Sequence, residues 1–409
     1  MSESKNVALV FGASGISGWA VAKNLLTYPT PTTFSRIIGL TNRPRTIEES
    51  GLPGDPRLEL YSGVNLRGSL EDVVKQLREK VPDVEEVTHV YYLAYSNSTA
   101  YTENVMEIKD INAHMTYNAV HACDQLCKSM KFFVLQTGTN NYGVAVFRYQ
   151  DKIDINPPLR ESNPRIPSPW GDEIFYYAQV DLIKEANKGK SWKWCEVRPD
   201  QIVGHVPSPT SMTYVEPLAL YLALYRYVNG PGATIPFPGT HKNFKYTFTD
   251  SSQDIIARSE IYLSVLKPDE SHGQGFNTAD NAIPSSWSDK WPTLCGFFGL
   301  NGAGPAKDGW NDIDLWWDAH QGDYEKMCAE YGLQKREIGR ETWVFLKAGF
   351  VLLDRNRELS LDKIRSVGFT DEYPVAYGYM RVFEHLVHEK IVPRMGQGSH
   401  SLRPVESHL

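Results

Sequence analysis

Several groups of residues in this chain have types and spacings that could do chemistry. Gly12-Ala13-Ser14-Gly15-Ile16-Ser17-Gly18 follows a short apolar run, Val7 to Phe11, and opens a helical pattern. In such a loop the first glycine permits a tight strand-to-helix turn, the second lets a pyrophosphate approach the backbone, and the third lets helix and strand pack closely. The helix N-terminus then offers free N–H groups to the phosphates. Three glycines at this spacing are a weak signal alone; their place after the first strand and before a helix supplies the confirming context. The second apolar run closes on Thr41-Asn42-Arg43-Pro44-Arg45. A carboxylate there would accept from a ribose 2′-hydroxyl, whereas guanidinium groups pair with a 2′-phosphate. The expected nucleotide is NADP(H), held by Gly12, Ser14, Gly15, Ile16, Gly18, Asn42, Arg43 and Arg45, with Asn65 and Leu66 after the third strand and Thr137 after the fifth.

The proton donor is read from Ile174-Phe175-Tyr176-Tyr177-Ala178-Gln179-Val180-Asp181. A Tyr-x-x-x-Lys pair would serve carbonyl reduction, its lysine acidifying the phenol, with a Ser or Thr after the fifth strand holding the substrate oxygen. Counted from Tyr177, the lysine's place holds Asp181, and Gly138 stands where the hydroxyl would lie. Ordinary alcohol–ketone interconversion is therefore not expected. Cys123 and Cys127, with His121 nearby, lack a second ligand pair at zinc spacing, so no metal is expected. Five cysteines in all fit reduced thiols better than a disulfide framework.

The elements that must position these residues alternate. Apolar runs at Val7 to Phe11, Arg36 to Leu40, Arg57 to Tyr61, His89 to Leu93 and Phe132 to Gln136 are separated by helical patterns, among them Trp19 to Leu26, Leu70 to Lys80 and Asp110 to Lys128. Such alternation implies an α/β fold, a Rossmann-type doubly wound parallel sheet whose ligand crevice lies beyond the carboxyl ends of the strands. Residues 1–204 are assigned to this domain, 205–394 to a smaller, mainly helical substrate lobe with some strands returning to the sheet, and 395–409 to a flexible tail. A chain of 409 residues with 41% hydrophobic content can bury a sizeable core, and a net charge of −7 argues against nucleic-acid binding. No apolar stretch approaches the ~20 residues that span a bilayer, and Met1 to Asn6 is polar, so a cytoplasmic protein without membrane contact is expected. Tyr214, Tyr221, Phe244, Phe297, Phe298 and Trp343 either line an apolar pocket or pack as core, core being the commoner fate of such residues singly.

The glycine loop, Asn42-Arg43-Pro44, Leu135-Gln136-Thr137-Gly138-Thr139 ending in Tyr142-Gly143, the Phe175-Tyr176-Tyr177 segment ending in Asp181, and Arg198-Pro199 followed by Ile202 and Gly204 together resemble the progesterone 5β-reductase/iridoid synthase-like (PRISE) enone reductases. These form a branch of the extended short-chain dehydrogenases/reductases, and the likeness runs over about residues 5 to 394. The resemblance implies NADPH-dependent 1,4-reduction of an activated C=C bond in an apolar small molecule of specialised metabolism. A tyrosine and a lysine hold the enolate oxygen; here the tyrosine maps to Tyr177, and the lysine position is Asn140. The nicotinamide would lie between the Ser211-Met212 loop and Ile202. Because Asn140 brings no charge, two alternatives stay open: a non-redox cyclase or isomerase on the same scaffold, and an NADP(H)-sensing protein without turnover. The family contains monomers and homodimers, and the sequence selects neither. The segment from Gly302 to His320, with Trp310, Trp316 and Trp317, reads as an insertion relative to plant members, either a lid or partner surface or a packed loop.

Overall fold

A computed structural model describes residues 6–96, 105–146, 151–207, 212–307 and 312–395. The chain divides into two units: residues up to 212 with 248–283 and 356–373, and 213–247 with 284–355 and the residues from 374 onward. The boundary expected at 204 thus falls inside the first unit, which takes back two later segments because one of them completes its sheet. The tail expected from 395 lies outside the described residues from 396 on.

The first unit is built on strands β1 (Asn6–Phe11), β2 (Phe34–Thr41), β3 (Leu58–Ser62), β4 (His89–Tyr92), β5 (Phe132–Gln136), β6 (Lys193–Arg198) and β7 (Gln274–Asn277). They form one sheet in the order β7-β6-β5-β4-β1-β2-β3, every pairing parallel. Parallel strands buried on both faces tolerate continuous apolar sequence, and Ala8, Leu9, Val10 and Phe11 are at most 1% exposed. Helices α1 (Ile16–Asn24), α2 (Leu70–Lys80), α3 (Val105–Leu126), α4 (Phe175–Ala186) and α5 (Gln253–Val265) accompany the sheet. Ser69 caps α2 by accepting from the Asp72 N–H, which fixes the start that the sequence implied. The chain runs outward from β1 through β2 to β3, then in the opposite direction from β4 through β5 to β6. That reversal makes the carboxyl ends of β1 and β4 the switch point where ligands bind in such sheets.

The second unit has its own aromatic core. Tyr214 and Tyr221 are 2% exposed, Trp343 3% and Phe298 fully buried, so these four pack as core, while Phe244 and Phe297 are half-buried. In the described part of the Gly302 to His320 segment, the helix Ile313–Ala319 is packed: Trp316 meets Tyr221 edge-on at 5.2 Å and Trp317 is buried against Tyr324 and Trp343. Trp310 lies outside the described residues. No helix among the described residues is long and apolar enough to cross a membrane.

Candidate active site

The loop after β1 is shaped by steric need. Gly12 has φ +82°, and a Cβ there would lie 2.8 Å from the Leu93 carbonyl oxygen; a Cβ on Gly18 would lie 2.1 Å from the Gly12 carbonyl oxygen. Those two glycines are required by the protein's own close packing. Gly15 is different, since its Cβ would meet only the Gly12 oxygen, at 3.3 Å. It is the N-cap of α1 and brings no side-chain hydrogen bond to the free N–H groups there. Ser14 is half-buried and Ile16 buried. Beside this loop, the Gln136 amide donates to Ser17 Oγ at 2.8 Å, while Gln136 Oε1 is buried with no hydrogen-bond partner among the described residues. An uncapped helix start, an unfilled glycine and an orphaned acceptor are what a bound dinucleotide would use.

Asn42 and Arg43 are exposed at the end of β2 and Arg45 is half-buried; the Thr41 hydroxyl donates to the Arg43 carbonyl at 2.8 Å, fixing the turn. Asn65 is exposed after β3, but the Leu66 side chain belongs to the apolar core. Thr137 follows β5 as expected, yet its hydroxyl is committed to Glu196, at 2.6 Å. Ile202 is buried and Met212 half-buried; Ser211 lies outside the described residues.

Tyr177, the expected donor, is hydrogen-bonded to backbone in this structure. The Tyr177 hydroxyl donates to the Asn141 carbonyl at 2.6 Å and accepts from the Ile166 N–H at 2.9 Å, so both its functions are spent on backbone. Its ring lies 4.8 Å from the Arg165 guanidinium, which in turn forks onto Asp181 with two bonds of 2.7 Å. Burial raises the Tyr177 pKa, against the opposing effect of the Ile166 N–H and Arg165. The neighbouring Tyr176 instead reaches the end of β5: a Cβ on Gly138 would lie 3.5 Å from its hydroxyl. The Phe175 ring sets it, with centroids 4.5 Å apart, and Phe175 stacks on Tyr95. The buried stripe of α4 runs through Gln179, Ile183 and Ala186; Tyr176 stands three residues before Gln179 and Tyr177 four before exposed Asp181, and both are half-buried.

Asn140 sits in a turn, Thr139–Tyr142, whose other side chains are all tied down from beneath. The Thr139 hydroxyl donates to Asp200 Oδ1 at 2.8 Å. The Asn141 amide donates to Glu196 Oε1 at 2.7 Å, and Arg198 holds the other Glu196 oxygen at 2.7 Å. The Tyr142 hydroxyl donates to Asn277 Oδ1 at 2.6 Å and accepts from Arg198 at 3.2 Å. Burial, opposed by Arg198, pushes the Tyr142 phenol up to about 12. Burial also works against the Arg198 charge, but Glu196 and Tyr142 outweigh it and raise its pKa. Asn140 Oδ1 accepts from the Ala145 N–H at 3.1 Å, which turns the amide so that its Nδ2 is the donating end.

A doubly wound parallel sheet with this loop at its switch point, and a tyrosine reaching the end of β5, defines an oxidoreductase of the short-chain dehydrogenase/reductase class. Residues 8–393 match the PRISE-like Rossmann-fold domain, and the chain belongs to that family. It is 60% identical to the short chain dehydrogenase ausT of Aspergillus calidoustus over 96% of each chain. It is 27% identical to a 3-oxo-Delta(4,5)-steroid 5-beta-reductase of Arabidopsis thaliana, covering 89% of this chain and 87% of that one. Among solved structures, the epimerase Mth375 of Methanothermobacter thermautotrophicus superposes with a TM-score of 0.61 at 15% identity, over 94% of this chain and 93% of that one, a likeness of fold.

Proposed function

We propose that this protein is an NADPH-dependent reductase of an activated C=C bond in a small apolar enal or enone, acting in the cytosol, with Tyr176 as the donor to the substrate oxygen. The observation that carries the reading is the Tyr176 hydroxyl at the end of β5, 3.5 Å from where a Cβ on Gly138 would lie. Kinship to a steroid 5-beta-reductase supports the reaction class.

NADPH, bound by the loop of Gly12, Gly15 and Gly18 with Arg43 beside its 2′-phosphate, would supply the hydride. As the β-carbon takes that hydride, negative charge develops on the carbonyl oxygen. Tyr176 donates to that oxygen, and Asn140 adds a neutral N–H from the pinned turn. A neutral amide cannot supply the field of an ammonium, and losing one strong oxyanion donor reduces rate by ~100- to 1,000-fold. The substrate therefore carries part of the activation itself, as an enal or a doubly activated alkene does.

A non-redox cyclisation or isomerisation is the second reading, favoured by one feature. Asn140 puts a neutral amide where the resemblance places a lysine, so the turn lacks the positive charge that would steady an enolate formed by hydride transfer. Incubation with NADPH and a panel of enals and enones tests the first reading. NADPH oxidation with stoichiometric loss of the alkene is expected. No oxidation with any of them overturns it, and product formed equally with NADP+ selects the second.

A further inference from the structure

Arg357 lies 157 residues beyond Asp200 in sequence, and their side chains are 1% and 2% exposed. Arg357 Nε donates to Asp200 Oδ2 at 2.8 Å, while the other oxygen of the same carboxylate takes the Thr139 hydroxyl. Arg357 begins a segment that straps the edge of the sheet: Leu159 and Leu359 form a parallel bridge, and the Leu359 N–H reaches Thr249 Oγ1 at 3.3 Å. The guanidinium carbon stands 4.3 Å from the centroid of the Phe248 ring, and Nη2 finds no hydrogen-bond partner among the described residues. A buried ion pair held by one bond rather than a full fork is a poor source of stability, since desolvation offsets most of its attraction. It is a good spacer, because neither group can move without exposing the other's charge to an apolar interior.

We propose that Arg357 is a positioning residue for the reaction, acting through Asp200 and Thr139 to hold Asn140 at its distance from the substrate oxygen. The inference rests on the reading of Tyr176 and Asn140 as the oxyanion donors. Thr139 is the residue immediately before Asn140 and starts the turn, with its N–H bound to the Pro199 carbonyl at 2.9 Å. Shifting Thr139 therefore shifts the amide. A displacement of about 1 Å in a donor lowers turnover by up to ~100-fold.

The test is steady-state kinetics on the full chain with NADPH and the best enal or enone, in wild type, Arg357→Met, Arg357→Lys and Thr139→Val. Thr139→Val keeps the ion pair and cuts only the last link, so it serves if Arg357→Met does not fold. The expected result is a kcat lowered ~10- to 100-fold in Thr139→Val and Arg357→Met. Partial recovery in Arg357→Lys and unaltered NADPH affinity are expected alongside. In an Asn140→Ala background, Thr139→Val should cause no further loss, because the group it positions is gone. Equal losses in both backgrounds, or full turnover in Thr139→Val, overturn the inference while leaving the reductase reading intact. A wild type that turns over no enal or enone overturns that reading and this inference with it.

Discussion

Tyr176 and Gly138 face one another across the end of β5, the hydroxyl 3.5 Å from where a Cβ on Gly138 would lie. A side chain at position 138 would stand in contact with this phenol, beside the Pro199 carbonyl at 3.2 Å. The adjacent phenol, Tyr177, ties the start of α4 to the turn that carries Asn140. On the proposed reading the two neighbouring tyrosines have separate tasks: Tyr176 would face the reacting oxygen, while Tyr177 braces the backbone around it.

Replacing each tyrosine by phenylalanine separates those tasks. Tyr176→Phe should lower kcat by ~100- to 1,000-fold with the fold intact. Tyr177→Phe strands the Asn141 carbonyl and the Ile166 N–H, a loss of about 1 to 3 kcal/mol of stability by denaturant titration, and should leave most of the turnover. The reverse pattern would return the donor's role to Tyr177.

The glycine loop divides in the same manner. Gly18→Ala drives a methyl against the Gly12 carbonyl at 2.1 Å, backbone against backbone, and should destabilise the protein by about 3 kcal/mol or more. Gly15→Ala meets only a 3.3 Å neighbour and should change stability by no more than about 1 kcal/mol. Its effect belongs to nucleotide binding: the NADPH dissociation constant, followed by fluorescence, should rise at least ~10-fold as a methyl blocks the approach of the pyrophosphate.

On the proposed reading, Arg43, exposed at the end of β2, is the group that would meet the 2′-phosphate. A hydrogen bond to a charged group contributes about 1.5 to 3 kcal/mol, so Arg43→Ala should raise KM for NADPH roughly 10- to 100-fold and leave KM for NADH unchanged. Equal effects on both would mean that the turn holds the nucleotide without reading its 2′-phosphate.

Much of this was legible in the sequence wherever a local rule governs. The helix Leu70–Lys80 and the strand Phe132–Gln136 follow from periodicity and a serine cap. Charge pairing in the interior was not legible. Nothing local in the sequence pairs Arg198 with Glu196 or Arg357 with Asp200, and only the fold brings the last two together from 157 residues apart. A strand returning to the sheet is expected from the sequence, but Gln274-Gly275-Phe276-Asn277 is short and half polar, so its pattern alone does not place β7 beside β6. Tyr176 and Tyr177 differ by a rotation of one residue along α4, a difference that matching a motif does not resolve.

Glu260, on α5, carries the last prediction. The residue is fully buried, both carboxyl oxygens lack a hydrogen-bond partner among the described residues, and Tyr91 and Cys195 are near enough to feel its charge. Burial raises its pKa well above the usual carboxylate range. In the unfolded chain it ionises near pH ~4.3. The raised folded value means that the favourable contribution is complete below pH ~4.3 and fades as pH climbs towards the folded pKa, because only the unfolded state releases the proton. Glu260→Gln keeps the shape and removes the titration. Its stability relative to wild type should therefore grow with pH above ~4.3, by up to about 1.4 kcal/mol per pH unit, measured by urea denaturation from pH 5 to 8. A constant difference across that range would mean that the carboxyl is ionised in the native protein and has found a partner there.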